Sequence, residues 1–374
     1  MKGNKTLLLF LTTLCVLVSL WLGGCAKKPA EERPAKEEPN PPVAEQAGYA
    51  GSEKCQGCHG EIYDGWENNL HRKMVQDAKQ AGVIIGNFSK TGNPFETAKD
   101  FKKEDIVYTI GSQWKQRYVV KKDDNFLILP AEWIIETSSW QPYHADDWNQ
   151  EHRHWEDICI ACHTTGYQKE LGAKINEAGI GCEACHGPGA KHASNTQEKI
   201  INPAKLSYKQ KIETCGQCHV RGPEEKGVRE DALGYIPGGD FAKFMKPLTP
   251  SQEELAKEKP AFFPDGASKK HHQQYNDFIQ SKHYAKEAAS CDYCHAPHES
   301  KGPKGEIPLK RPVDQLCESC HKEGQVAANV KLQKPYLDNY MPKRAKSATE
   351  ADIRSHTFKP DQTKAAVPKA PYVE

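Results

Sequence analysis

Residues 55–59 read CQGCH, and the same five-residue pattern returns as CIACH at 159–163, CEACH at 182–186, CGQCH at 215–219, CDYCH at 291–295 and CESCH at 317–321. The chain holds 14 cysteines; apart from Cys15 and Cys25 near the N-terminus, every one belongs to these six units. The pattern is the attachment site of a c-type haem: two thiols add across the porphyrin vinyl groups, and the adjoining histidine reaches the iron. The thioether cysteines are then Cys55, Cys58, Cys159, Cys162, Cys182, Cys185, Cys215, Cys218, Cys291, Cys294, Cys317 and Cys320. The proximal iron ligands are His59, His163, His186, His219, His295 and His321, and the implied cofactor is six haem c. A zinc site would need two or more such pairs converging on one ion with a tetrahedral donor set. A disulfide framework would leave six following histidines without a role.

The group on the opposite face of each iron separates an electron carrier from an enzyme. Ten histidines remain: His71, His144, His152, His154, His192, His271, His272, His283, His298 and His356. Beyond the N-terminal segment only Met74, Met245 and Met341 compete with them, and methionine ligation would raise the potential. Supply therefore favours His/His ligation and low potentials. A helix read from Gln273 to Ala289 would put His272 and His283 three turns apart on one face, roughly 16 Å along the axis, which prefers His272 over His271. His152 and His154 alternate with Arg153, and His154 is taken as the ligand candidate of the two. His298 reads as a solvated or propionate-bonding group, and His144 as having no haem role. Trp66, Trp148, Trp155 and Tyr293 read as apolar packing against porphyrin faces.

The whole chain has 374 residues, 51 basic and 50 acidic side chains, 37% hydrophobic residues and a mean hydropathy of -0.77. Balanced charge gives no reason to expect a nucleic-acid partner, and so little apolar content is low for a chain that must fill its own core. Lys2 and Lys5, an apolar run from Leu7 to Leu22 and the sequence LGGC at 22–25 resemble a lipoprotein signal peptide, residues 1–24, with Cys25 as the acylated mature N-terminus. Ala26 after it favours the outer membrane, facing periplasm or cell exterior. Residues 25–48, rich in Pro and charge, read as an extended tether.

Ile62, Trp66, Leu70 and Met74 recur every four residues, which predicts a helix over 61–75. Residues 83–137 hold β-branched and aromatic runs with Asp124-Asn125 suited to a hairpin turn. The expected fold class is mainly α with long loops, organised around six covalent haems, with a small β-rich insert at about 83–137. An N-terminal lobe at 49–220 would carry four haems and the insert. A spacer at 221–268 would lead to a C-terminal lobe at 269–358 with two haems and a flexible tail at 359–374.

Four stretches, CQGCHGEIYDGWENNLH, CIACHTTGY with GCEACHGPGAKH, FIQSKHYAKEAASCDYCHAPH and YMPKRAKSATEADIRSHTF, resemble the multihaem cytochrome family that includes the tetrahaem cytochromes of nitrifying bacteria and larger relatives. The resemblance implies distal ligation by His71, His192, His283 and His356. It implies one-electron transfer along a haem chain in respiratory or extracellular electron transfer. The expected partners are other redox proteins, such as cytochromes and quinol-oxidising or terminal reductase complexes, with a membrane held through the lipid anchor. Two alternatives stand beside it: a haem reductase of nitrite, hydroxylamine or a similar oxyanion at one five-coordinate iron, and a subunit of an outer-membrane conduit or cytochrome filament.

Overall fold

The β-branched runs build the largest regular element. In the computed structural model, which describes residues 48–167, 175–225, 228–229, 232–300 and 307–360, they form one antiparallel sheet. Its strands are β1 (Val75–Asp77), β2 (Ile106–Ile110), β3 (Lys115–Lys122), β4 (Asn125–Ile128), β5 (Ala131–Ile134) and β6 (Ser139–Pro142). Neighbours run β1-β2-β3-β5-β6, with β4 also paired to β3. The sheet is wider than the insert read from sequence, because Val75 joins β2 opposite Ile110 and the chain stays extended to Pro142. Lys122 pairs with Asn125, so the hairpin turn is Asp123-Asp124, one residue earlier than expected. Asp123 takes φ 54 there, a left-handed conformation that aspartate tolerates better than most residues.

Period-2 alternation along β3 sends its side chains to two different cores. Tyr118 and Val120 pack with Leu127, Leu129, Trp133 and Trp140, closed over by the preceding loop through Phe88 and Phe95. Val119 faces the other way, onto Ile110, Ile128, Trp155 and Ile160. That second face leads to the haem motifs.

About 30% of the chain is helical and 15% strand. The helices that carry motifs or candidate ligands are short: α1 (Glu53–Gln56), α2 (Gly60–Glu67), α3 (Trp155–Ile158), α4 (Ile160–His163), α5 (Cys182–His186), α6 (Ala190–Ser194), α7 (Tyr208–Gly216), α8 (Gln274–Phe278), α9 (Lys282–Ala285), α10 (Cys291–Cys294) and α11 (Val313–His321). Two expected helices are cut. The one over 61–75 ends at Glu67, because the Asn69 side chain accepts from Arg72 N at 3.0 Å and starts a new turn before Val75 enters β1. The one over 273–289 breaks between Phe278 and Lys282, where Ser281 Oγ caps α9 by accepting from Tyr284 N at 3.1 Å. His272 lies before α8 with φ 62, so no common helix axis relates it to His283.

The stretch read as a spacer is core. Ala232, Tyr235, Phe241 and Met245 are buried with Ile212, Tyr275 and Phe278, and Phe358 packs against the same cluster. The described residues belong to one compact unit. The expected signal peptide, Cys25, the tether up to residue 47 and the tail beyond 360 lie outside the described residues. Among the described residues no helix is long and apolar enough to cross a membrane.

Candidate haem centres

Each motif sits on or beside a short helix whose end is fixed by local chemistry. Motif 4 is the firmest: Ser207 and Gln210 form a capping box at the start of α7, and Ile212 is fully buried behind Cys215. Motif 2 follows the fully buried Trp155, and its own Ile160 is fully buried under the sheet. Motif 3 opens with Cys182 N donating to Ser52 Oγ at 2.9 Å and ends at Gly187, whose φ of 69 lets the chain turn away sharply. All twelve motif cysteines are free thiols; on the expected haem attachment the same sulfurs would be thioethers, so their contacts would stand for contacts between attached groups.

Five of the six motif histidines face a second imidazole. Ring centroids are 6.2 Å apart for His219 and His71, 5.8 Å for His163 and His272, and 6.1 Å for His186 and His298. They are 6.1 Å apart for His321 and His283, and 6.3 Å for His295 and His356. A metal–imidazole bond of about 2 Å on each side, plus roughly 1 Å from nitrogen to ring centre, puts two such centroids about 6 Å apart across one ion. The spacing suits a shared iron. Low-dielectric surroundings also hold these rings in the neutral form that ligation needs: desolvation, then neighbouring imidazoles, lowers His71 and His295 to about 4, and desolvation lowers His356 to about 4. His283 Nδ1 and His321 Nδ1 are buried without a hydrogen-bond partner. The residues present therefore fit haem.

The candidate distal residues are placed unevenly. His71, His272, His283 and His356 each stand opposite a motif histidine. His154 does not: its backbone bridges to Leu127 and it precedes α3, with its ring near Glu156. Its neighbour His152 belongs to a surface network on Asp147, 3.0 Å from Oδ2, which also receives Arg153 Nε at 2.9 Å. His192, on α6, has Nδ1 2.8 Å from the Glu198 carbonyl oxygen and makes no ring contact with a motif histidine among the described residues.

His298, read from sequence as solvated, instead faces His186. Asn69 Nδ2 donates to Pro297 O at 2.9 Å and Ser300 Oγ to Gly65 O at 3.2 Å, which clamps the 297–300 loop on α2. Gly65 is required there, since a Cβ would run into the His298 carbonyl. No local signal in CDYCHAPH separates His298 from a surface residue; the partner lies over a hundred positions upstream.

The motifs touch in a definite order. The Cys55 and Cys182 side chains adjoin, joining motifs 1 and 3. Gln217 Nε2 donates to Ala184 O at 3.0 Å, joining motif 3 to motif 4, and Cys162 Sγ lies 3.6 Å from the Gln217 carbonyl, joining motif 2 to motif 4. Cys215 and Cys291 share a hydrogen bond between motifs 4 and 5, and Tyr293 OH is 2.6 Å from Ser319 Oγ between motifs 5 and 6. Motif 4 thus touches motifs 2, 3 and 5. Among the motif cysteines and histidines, Cys58 and His59 of motif 1 are the exposed ones.

A family model described as cytochrome c554 and c-prime matches residues 135–187, and a doubled CXXCH motif model matches 283–326. No curated protein matches the chain. Among solved structures it is similar to the outer cell wall cytochrome OcwA, at 26% identity over 83% of this chain and 79% of that one, with a TM-score of 0.63. An undecahaem cytochrome from the S-layer of Carboxydothermus ferrireducens aligns at 22% identity over 87% of this chain and 49% of that one, with a TM-score of 0.39.

Proposed function

We propose that this multihaem c-type cytochrome attaches six haems and passes single electrons along them in the order of motifs 1, 3, 4, 5 and 6, with motif 2 as a side branch from motif 4. The observation that carries this reading is the set of five imidazole pairs spaced at 5.8–6.3 Å. His219, His163, His186, His321 and His295 would hold the irons from one side, and His71, His272, His298, His283 and His356 from the other. The bound haem supplies reversible one-electron chemistry; the chain supplies spacing, axial ligation and burial. Two imidazoles on an iron close it to substrate, which favours transfer over catalysis.

Motif 1, exposed at one end of this order, is the natural contact for a redox partner. Val326, next to motif 6, is 91% exposed at the other end. The location proposed is the cell envelope, with Cys25 acylated and the haem unit held outside the membrane. This rests on the LGGC sequence at 22–25 and on the outer cell wall setting named for the structural neighbour.

A second reading attaches to one observation: His59 faces no second imidazole among the described residues. Were His192 to stay off that iron, motif 1 would offer an open position for a small reducible ligand. In the reading preferred here His192 closes it, since its Nδ1 contact with the Glu198 carbonyl leaves Nε2 to bind metal. Carbon monoxide added to the reduced protein separates the two: one equivalent bound per chain would establish the open site.

Intact-mass measurement of protein extracted from membranes is expected to give six haems and a lipidated Cys25 on each chain. A count of four or fewer haems would overturn the transfer chain, and an unprocessed or unlipidated N-terminus would overturn the anchor.

A further inference from the structure

Strand β3 carries two cations on the face that looks toward motif 2. Lys115 and Arg117 lie four and two residues before Val119, so they share its side of the sheet, the side packed on Trp155 and Ile160. Both side chains are largely enclosed, at 14% and 16% exposure, and both reach Glu132 of β5, which takes Arg117 Nε at 2.7 Å and Lys115 Nζ at 3.4 Å, while Lys115 Nζ also donates to the Ser347 carbonyl and feels the Asp352 carboxylate. The Arg117 guanidinium also lies 3.7 Å over the Tyr143 ring, in the neighbourhood of Cys159 of motif 2. His271 stands among them with its ring 4.1 Å from His272, the imidazole that faces His163.

Lys115, Arg117 and the nearby Arg221, set against Glu132 and the more distant Asp352, leave positive charge in low dielectric, a costly arrangement unless an anion completes it. Salt would not: surface counter-ions cannot follow a charge into the interior. A haem held between His163 and His272 brings two carboxylates of its own into this neighbourhood.

We propose that Lys115 and Arg117 are positioning residues that clamp the propionate carboxylates of the motif 2 haem, and that their charge makes this branch haem easier to reduce. The inference rests on the reading in which motif 2 binds haem. It also gives the β sheet a purpose, since β3 and β5 deliver the two cations and their shared acid to one haem in fixed register, Arg117 opposite Glu132 by the pairing of Gln116 with Trp133. The physical direction is simple: reduction lowers the charge of the iron by one, so nearby cations favour the reduced form. Removing one shifts the equilibrium toward the oxidised form.

Spectroelectrochemical titration of Arg117→Gln in the six-haem protein is expected to disfavour reduction of one haem about tenfold, which for one electron is about 59 mV. That haem is identified as the one that turns high-spin in His272→Ala. Arg117→Lys, which keeps the charge, is expected to restore most of the shift, and Lys115→Met to move the same haem in the same direction. Two results overturn the clamp: all six midpoints unchanged in both charge-removing variants, or a shift spread equally over all haems. A preparation lacking the motif 2 haem in the parent protein would instead refute the six-haem reading, so the two failures are distinguishable.

Discussion

Alanine in place of His71 is expected to convert one haem from low-spin to high-spin and to slow electron equilibration between the two ends of the chain at least tenfold. His71 stands 6.2 Å from His219, the histidine of motif 4. It is placed there by the break after α2: Asn69 caps the turn through Arg72 N, and the His71 carbonyl accepts from Ile180 N at 3.0 Å. Loss of the ring removes an axial ligand and leaves the backbone contacts intact, so the fold should survive. Motif 4 is the contact between motifs 2 and 3 on one side and motif 5 on the other, so a changed iron there lies on every route across the protein. Losing a histidine ligand also moves that haem's potential away from its neighbours. Electron paramagnetic resonance counts the spin change, and rapid mixing with a reductant measures the slowing. Six low-spin haems in the variant would show that His71 is not a ligand.

Asp277→Ala is expected to destabilise the protein by on the order of 3 kcal/mol and to release the segment after residue 343 to proteolysis. The Asp277 carboxylate is 2% exposed and accepts four hydrogen bonds, from Ser268 N at 2.9 Å, Ser268 Oγ at 2.6 Å, Ser355 Oγ at 2.9 Å and His356 N at 2.9 Å. Each buried donor left without a partner costs about 1–3 kcal/mol, and the losses are not additive because water enters the gap. Burial raises the Asp277 carboxyl pKa, so desolvation already works against its charged form, and only the four donors make it tolerable. Those donors bind the C-terminal segment to α8 and set His356 opposite His295. The same variant should therefore add high-spin character at one haem, where Asp277→Asn, which keeps an acceptor oxygen, has the smaller effect. Denaturant unfolding and limited proteolysis read the stability; a variant with the parent's midpoint and intact tail would contradict the account.

What could be read before folding was the chemistry that is local. Two thiols and a histidine within five residues identify an attachment site without any tertiary knowledge, and the β-branched, aromatic run in KQRYVVKK identifies a strand. The opposing histidines are a different kind of problem, because each pair joins distant segments and its partner is chosen by packing. His298 illustrates it: three residues after His295 it resembles a surface residue, and only the docking of Pro297 and Ser300 on α2 turns it toward His186. His154 illustrates the converse, a histidine in an aromatic, charge-rich stretch whose backbone is taken up by Leu127 in the sheet. The helix read over 273–289 had the right composition, yet Ser281 is a better cap than a helix interior, and the chain uses it so. The spacer at 221–268 looked like a linker because it is rich in Gly, Pro and charge, yet Ala232, Tyr235, Phe241, Met245 and Phe262 within it are buried.

The central claim, a chain of six-coordinate haems ligated by the paired imidazoles, is tested most directly by a quantitative electron paramagnetic resonance spectrum of the fully oxidised protein. Perpendicular imidazole planes leave the two iron orbitals that π-bond with them nearly equal in energy, whereas parallel planes split them, and the two cases give distinct low-spin signals. The planes are near-perpendicular for His71 with His219, His163 with His272 and His283 with His321, at 81°, 76° and 79°. They are near-parallel for His186 with His298 and His295 with His356, at 16° and 27°. The account predicts at least three strongly anisotropic low-spin haems, at least two rhombic ones and no high-spin iron beyond motif 1. Two or more high-spin haems per chain, or fewer than five low-spin ones in a fully loaded protein, would contradict it.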